Sequence, residues 1–107
     1  MPKRAELAAD VYRAIADPTR RAILDKLASG ALPVNKLAAD FEQSRPAISK
    51  HLRVLRQARL VTEQKLGRET HYRLEAAPLS EVTHWLEHYR RFWQASLGNL
   101  KRHLEQK

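Results

Sequence analysis

Ser44-Arg45-Pro46-Ala47-Ile48-Ser49-Lys50-His51-Leu52-Arg53-Val54-Leu55-Arg56-Gln57 is a helix with two unlike sides. At about 100° per residue, Ile48, Leu52 and Leu55 fall together, and Pro46, Ser49, Lys50, Arg53 and Gln57 fall opposite them. Ser44 can cap the helix through its hydroxyl, and Pro46 stands in the first turn, where a missing N–H does no harm. The pattern runs to about Ala58. Before it, Val34, Leu37, Ala38 and Phe41 are spaced i, i+3, i+4, i+7, as on one face of a short helix, and a short turn separates the two. That is helix-turn-helix spacing over about residues 34–58.

The outward side of the second helix suits a DNA major groove. Arg and Lys can donate to guanine O6 and N7, while Gln and Ser can pair with adenine or phosphate. The first turn adds backbone N–H groups and the positive end of the helix dipole. The candidate DNA-binding residues here are Ser44, Arg45, Pro46, Ala47, Ser49, Lys50, His51, Arg53, Arg56 and Gln57. His51 lies about 60° from the centre of the apolar stripe, so it either packs locally or touches DNA. An ordinary solvated face would mix its charges. Yet residues 44–73 carry Arg45, Lys50, Arg53, Arg56, Arg59, Lys65, Arg68 and Arg73 against only Glu63 and Glu69, and no acid lies between Ser44 and Thr62. Six of the eight net positive charges of the chain sit in this stretch, which points to a polyanion.

Beyond Ala58 the hydrophobic period changes. Residues 60–66 read as a strand, Gly67-Arg68 as a turn and residues 70–74 as a second strand. Together they make a hairpin, a wing over about 60–75, whose Lys65 and Arg68, with Arg73, can lie along a DNA backbone or enter a narrow minor groove. In the other direction, Leu7, Ala8, Val11, Tyr12 and Ile15 mark a helix over about 5–16. Asp17-Pro18 starts another that turns Ile23, Leu24 and Leu27 inward, and Ser29-Gly30 stops it with glycine at C′. After Pro78 one long helix is expected, from about 79 to 105. The fold class is therefore mainly α with a small β-hairpin: a winged helix-turn-helix of four helices, a two-stranded wing and a long C-terminal helix, with residues 1–107 forming a single DNA-binding domain.

The last helix carries more apolar surface than one small chain can cover. Leu79, Val82, Leu86, Tyr89, Trp93, Leu97, Leu100 and Leu104 recur at spacings of three and four, and Trp85 and Phe92 widen the stripe. A partner helix in a two-fold homodimer accounts for the surplus. His84-Trp85-Leu86-Glu87-His88 also matches the H-x-x-E-H zinc-protease pattern, but the chain is too short for a protease cleft. A regulatory metal site from His84, His88, Glu81 or Glu87 competes with histidines that face solvent beside aromatic core residues, and the second reading is preferred.

Composition closes off other classes. Of 107 residues 43% are hydrophobic and 30% charged, as in a globular chain, and there is no cysteine, which removes disulfides and thiolate ligands and fits a reducing cytoplasm. Met1-Pro2-Lys3-Arg4, followed by Glu6 and Asp10, offers no apolar signal core, and no apolar run has the length of a membrane span. There is no glycine-rich phosphate loop and no nucleophile elbow, so neither an enzyme nor a cofactor is expected. The expected partners are double-stranded DNA and a second copy of the chain, with an unknown small-molecule or metal effector left open. A sequence-blind architectural nucleic-acid-binding protein is the other reading. The capped reading helix argues against it, and the ratio of specific to random binding separates the two.

Three stretches together resemble a known family: Ala16-Asp17-Pro18-Thr19-Arg20-Arg21-Ala22-Ile23-Leu24, then residues 44–55, then Leu60-Val61, Gly67-Arg68 and Tyr72. In this order they are similar to the arsenical-repressor (ArsR-type) regulators, over nearly the whole chain. The resemblance implies a homodimeric winged helix that blocks transcription at an inverted repeat. It implies that the helix beginning at Ser44 reads DNA and that the first and last helices form the dimer interface, here Leu7, Val11, Trp85, Leu86, Tyr89, Trp93, Leu97, Leu100 and Leu104. Two departures stand out. Where the family has glycine before Leu60-Val61, this chain has Arg59, which implies backbone strain or a shifted helix end, with its charge as a compensating DNA contact. The family's Cys-x-Cys metal motif is absent around Val34–Ala38, so soft-metal sensing there is excluded. The Asp-x-His and His-x-x-Glu spacing of its hard-metal members is missing from the last helix.

Overall fold

Local signals place most of the helix ends. The structure is a computed structural model and describes residues 4–105, except the side chains of residues 4 and 97–101. Helix α1 spans Arg4–Ile15 and α2 spans Pro18–Leu27. Asp17 caps α2, its Oδ2 accepting the Arg20 N–H at 2.9 Å. That hydrogen bond is the main reason the Asp17 carboxyl is held below its ordinary pKa. The α2 end differs from expectation by one position. Ala28 is the C-cap, so the glycine with positive φ (143°) is the second residue beyond it, not C′.

Strand β1 (Leu32–Pro33) leads into α3 (Val34–Ala38), and α4 spans Arg45–Gln57. Helix α3 is a single short turn, and Phe41 lies past its end but still packs on the core. Strands β2 (Val61–Leu66) and β3 (Glu69–Leu74) form the hairpin, in register from Val61 opposite Leu74 to Leu66 opposite Glu69. Gly67 takes φ 64° at the first position of the two-residue loop, where an L side chain would be strained. The sheet has three strands, not two, because β1 adds to β3 antiparallel, with Leu32 opposite Tyr72 and Pro33 opposite His71. Proline is tolerated there because β1 is an edge.

The C-terminal segment is not one helix. A 3₁₀ turn (Ala77–Leu79) precedes α5 (Ser80–Leu86), a second 3₁₀ turn (Glu87–Tyr89) follows, and α6 spans Arg90–Glu105. Leu86, Glu87 and Arg90 keep right-handed helical backbone angles, so the segment continues as helix through one tightened turn.

The core joins α1 (Val11, Ala14), α2 (Ile23, Leu24, Leu27), α3 (Leu37), α4 (Ile48, Leu52, Leu55) and the link into β2 (Ala58, Leu60, Val61). Among the described residues, Leu79 and Val82 are the last hydrophobic ones packed on it. Val11, only 1% exposed, belongs to this core and not to a free surface. Among the described residues no helix is long and apolar enough to cross a membrane.

Candidate nucleic-acid interface

Helix α4 is anchored from behind and open in front. Ile48, Leu52 and Leu55 are fully buried, while Arg45, Pro46, Lys50, Arg53, Arg56 and Gln57 are exposed and Ala47 and Ser49 half-buried. Ser44 is the N-cap, accepting the Ala47 N–H on Oγ at 3.3 Å. Because that N–H is used and Pro46 has none, the first turn leaves the Ser44 and Arg45 amides for a phosphate, fewer than the sequence suggested.

The far end of α4 closes by a Schellman motif, in which Arg59 N–H donates to Arg56 O (2.9 Å) and Leu60 N–H to Leu55 O (3.0 Å). Arg59 occupies C′ with φ 62°, the only positive φ outside glycine among the described residues. Of the two outcomes implied at Arg59, the strained backbone is the one found. Leu55 and Leu60, both fully buried, supply the apolar contact that goes with the motif.

The wing lies beside the start of α4. Arg45 and Arg68 line one cleft of about 150 Å³, together with Asn35, Glu69 and Thr70. Lys65 and Arg73 are exposed on β2 and β3. Arg56 is less free than expected: its guanidinium pairs with Glu63 of β2 at 2.9 Å, which ties α4 to the hairpin and cancels much of its charge. Opposite Glu63 across the strands is Tyr72, whose hydroxyl pKa is raised by burial first and then by the Glu63 charge.

His51 faces inward to Arg20 of α2. Arg20 Nη1 lies 3.3 Å from His51 Nδ1, while Nε donates to Ala14 O (2.7 Å) and Nη2 to Arg13 O (2.9 Å). Of the two readings of His51, local packing describes Nδ1. Gln43 Nε2 also donates to Thr19 Oγ1 at 3.0 Å, holding the turn before α4 against the start of α2.

This geometry coincides with a family signature. Residues 17–63 match the model of the arsR family of bacterial regulatory proteins. The HTH-type transcriptional regulator Rv2034 of Mycobacterium tuberculosis is 44% identical over 86 residues, 80% of this chain and 78% of that protein. The chain belongs to the arsR family. The transcriptional repressor SdpR of Bacillus subtilis is 38% identical over 77 residues, 72% of this chain and 86% of that one. In three dimensions the chain is similar to an ArsR-like transcriptional regulator from Rhodococcus sp. RHA1, with TM-score 0.70 and 35% identity over 92% of each chain. This arsR-family chain is therefore a DNA-binding transcriptional regulator with a winged helix-turn-helix, and not an enzyme.

The regulator has a second surface outside its core. Trp85 (49% exposed), Tyr89 (44%), Phe92 (67%), Trp93 (42%) and Leu104 (56%) are large apolar side chains left open. Tyr12, Trp85, Tyr89 and Phe92 form a ladder with successive ring centroids 6.1, 5.6 and 6.5 Å apart. Tyr12 also donates its hydroxyl to Glu81 O at 3.0 Å, joining α1 to α5. Leu7 and Leu86 are half-buried, and the side chains of Leu97 and Leu100 lie outside the described residues. Tyr12 belongs to this surface although the sequence read it only as part of the α1 face. Exposed His84 and His88 stack edge to face at 5.9 Å, and His88 Nδ1 lies 3.1 Å from Trp85 O. Among the described residues no three of His, Asp and Glu converge as metal ligands.

Proposed function

We propose that two copies of this chain bind an inverted-repeat operator and repress transcription from it, in the cytoplasm. The observation that carries the reading is the exposed Lys50, Arg53 and Gln57 face of α4, held on a buried apolar stripe beside the Arg68 wing tip. One such helix touches too few bases to be selective, and a two-fold pair doubles the site. The aromatic ladder of α5 and α6 supports the dimer, since an apolar surface of that kind is costly in water. Repression fits the relatives that bear that name, such as the Bacillus subtilis repressor. The test is footprinting of the purified protein on genomic DNA. The expected result is a protected inverted repeat with half-sites about one helical turn apart. Uniform coverage without a preferred site would instead make the chain a sequence-blind architectural protein.

A further inference from the structure

We infer that Arg20 is a positioning residue for DNA reading, setting the pose of α4 through His51. The inference rests on the reading of α4 as the recognition helix. Arg20 lies at the meeting point of three helices. Its own N–H is held by the Asp17 cap, its Nε and Nη2 donate to the last carbonyls of α1 (Ala14 and Arg13), and its Nη1 reaches His51 on α4. A helix C-terminus lacks intrahelical partners for its last carbonyls; Arg20 bonds Ala14 O and shares Arg13 O with the Ala16 N–H (3.3 Å), and a cation there is favoured by the dipole as well. The guanidinium is a rigid planar fork, so fixing two of its nitrogens on α1 fixes the direction of the third.

The third bond falls on the reading helix. A guanidinium has donors and no acceptor, so in this bond Arg20 Nη1 donates and His51 Nδ1 accepts. His51 sits between Lys50 and Leu52, with Arg53 two residues on, so a rotation of α4 that broke this bond would also turn the Lys50 and Arg53 face. The apolar stripe fixes how deep α4 sits, but apolar contacts are non-directional; the Arg20–His51 bond adds a direction. Helix α1, which supplies two of the acceptors, also carries Tyr12 of the exposed ladder, so one guanidinium links the surface proposed for the partner copy to the helix proposed for DNA.

The test uses Arg20→Met, which keeps most of the apolar stem and removes all donors, along with His51→Leu and His51→Asn, the last retaining an acceptor near the place of Nδ1. Fluorescence titrations are run on the footprinted operator and on a scrambled duplex over a salt series. Arg20→Met and His51→Leu are each expected to weaken operator binding about tenfold, the scale of one charged hydrogen bond, with the scrambled duplex unaffected. His51→Asn is expected to bind the operator as the natural chain does, and the Arg20→Met/His51→Leu double variant to lose no more than either single one. Equal loss on both duplexes, with the salt slope reduced by about one, would make Arg20 a phosphate contact and overturn the inference. Unchanged operator binding by His51→Leu would overturn it as well, and needs no Arg20 variant to fold. If the natural chain itself fails to prefer any duplex, it is the operator reading that fails.

Discussion

Arg59 and Arg53 show how two arginines of one short segment answer to different physics. Arg59 is held at φ 62° because the Schellman bonds from Arg59 and Leu60 end α4 and turn the chain toward β2. A left-handed L residue costs roughly 1–2 kcal/mol, and glycine returns a few tenths of that by enlarging the entropy of the unfolded chain. Arg59→Gly is therefore expected to stabilise the fold by about 1 kcal/mol, seen as a higher urea midpoint at constant m. A stability that fell would mean that the arginine stem packs more than its backbone strains. If its charge also touches DNA, the same variant lowers the salt slope by about one. Arg53 sits exposed in the middle of the outward face of α4, with no ion pair among the described residues. Arg53→Ala is expected to cost about 1–3 kcal/mol of specific binding with the fold intact, measured as operator against scrambled duplex. Equal discrimination by variant and natural chain would remove Arg53 from base reading. The caps at Ser44 and Asp17 were legible in the sequence, since each is decided within a few residues, whereas the strain at Arg59 was one of two outcomes implied by the family resemblance alone. The Arg20–His51 bond was not legible, because it joins residues 31 positions apart and no periodicity reports it.

The wing is the element whose role its own geometry divides most evenly. Six-residue strands β2 and β3 are locked in register by a two-residue loop at Gly67, and the Arg56–Glu63 pair holds the hairpin against α4. A hairpin alone is marginal in water, so this staple and the edge strand β1 help to hold Arg68 in place. If Arg68 meets the phosphate backbone, Arg68→Ala should weaken every duplex alike and lower the salt slope by about one. A loss confined to particular base pairs would indicate minor-groove reading, and no loss would leave the hairpin as plain surface. The hairpin itself was legible from the loss of helical spacing after Ala58, the strand-favouring Thr70, Tyr72 and Leu74 and the Gly67 turn. Strand β1 was not, because two residues, one of them proline, are too few to show a period. The 3₁₀ turn at Glu87–Tyr89 was hidden for a related reason: apolar spacings of three and four fit an α-helix and a tightened turn equally well.

On the scale of the whole molecule the chain is more extended than its length calls for. Its radius of gyration is 17.5 Å, against about 13 Å for a compact domain of this size. The excess lies in the C-terminal arm, where every described side chain of residues 90–96 is exposed and, among the described residues, none after Val82 packs on the core. An arm carrying Phe92 and Trp93 is hard to keep in water alone, and a second copy placed symmetrically would cover both arms at once. The dimer proposed on this ground must also hold the two α4 helices at a fixed distance, because successive major grooves on one face of DNA are one turn apart. Tyr89 and Trp93 are spaced i, i+4, and both are more than two-fifths exposed in the single chain, so changing them should leave the protomer fold intact. Replacing both by Glu would bring four carboxylates into the proposed seam, where burying unpaired charge costs several kcal/mol. Two losses are then expected together: light scattering should give the mass of one chain, and operator binding should fall to the level of random DNA. Circular dichroism that matches the natural chain would show that the core survives. A variant that is folded, monomeric and still binds the intact operator at full affinity would separate the arm from DNA reading. The spacing of the two reading helices would then have to be set by the DNA itself.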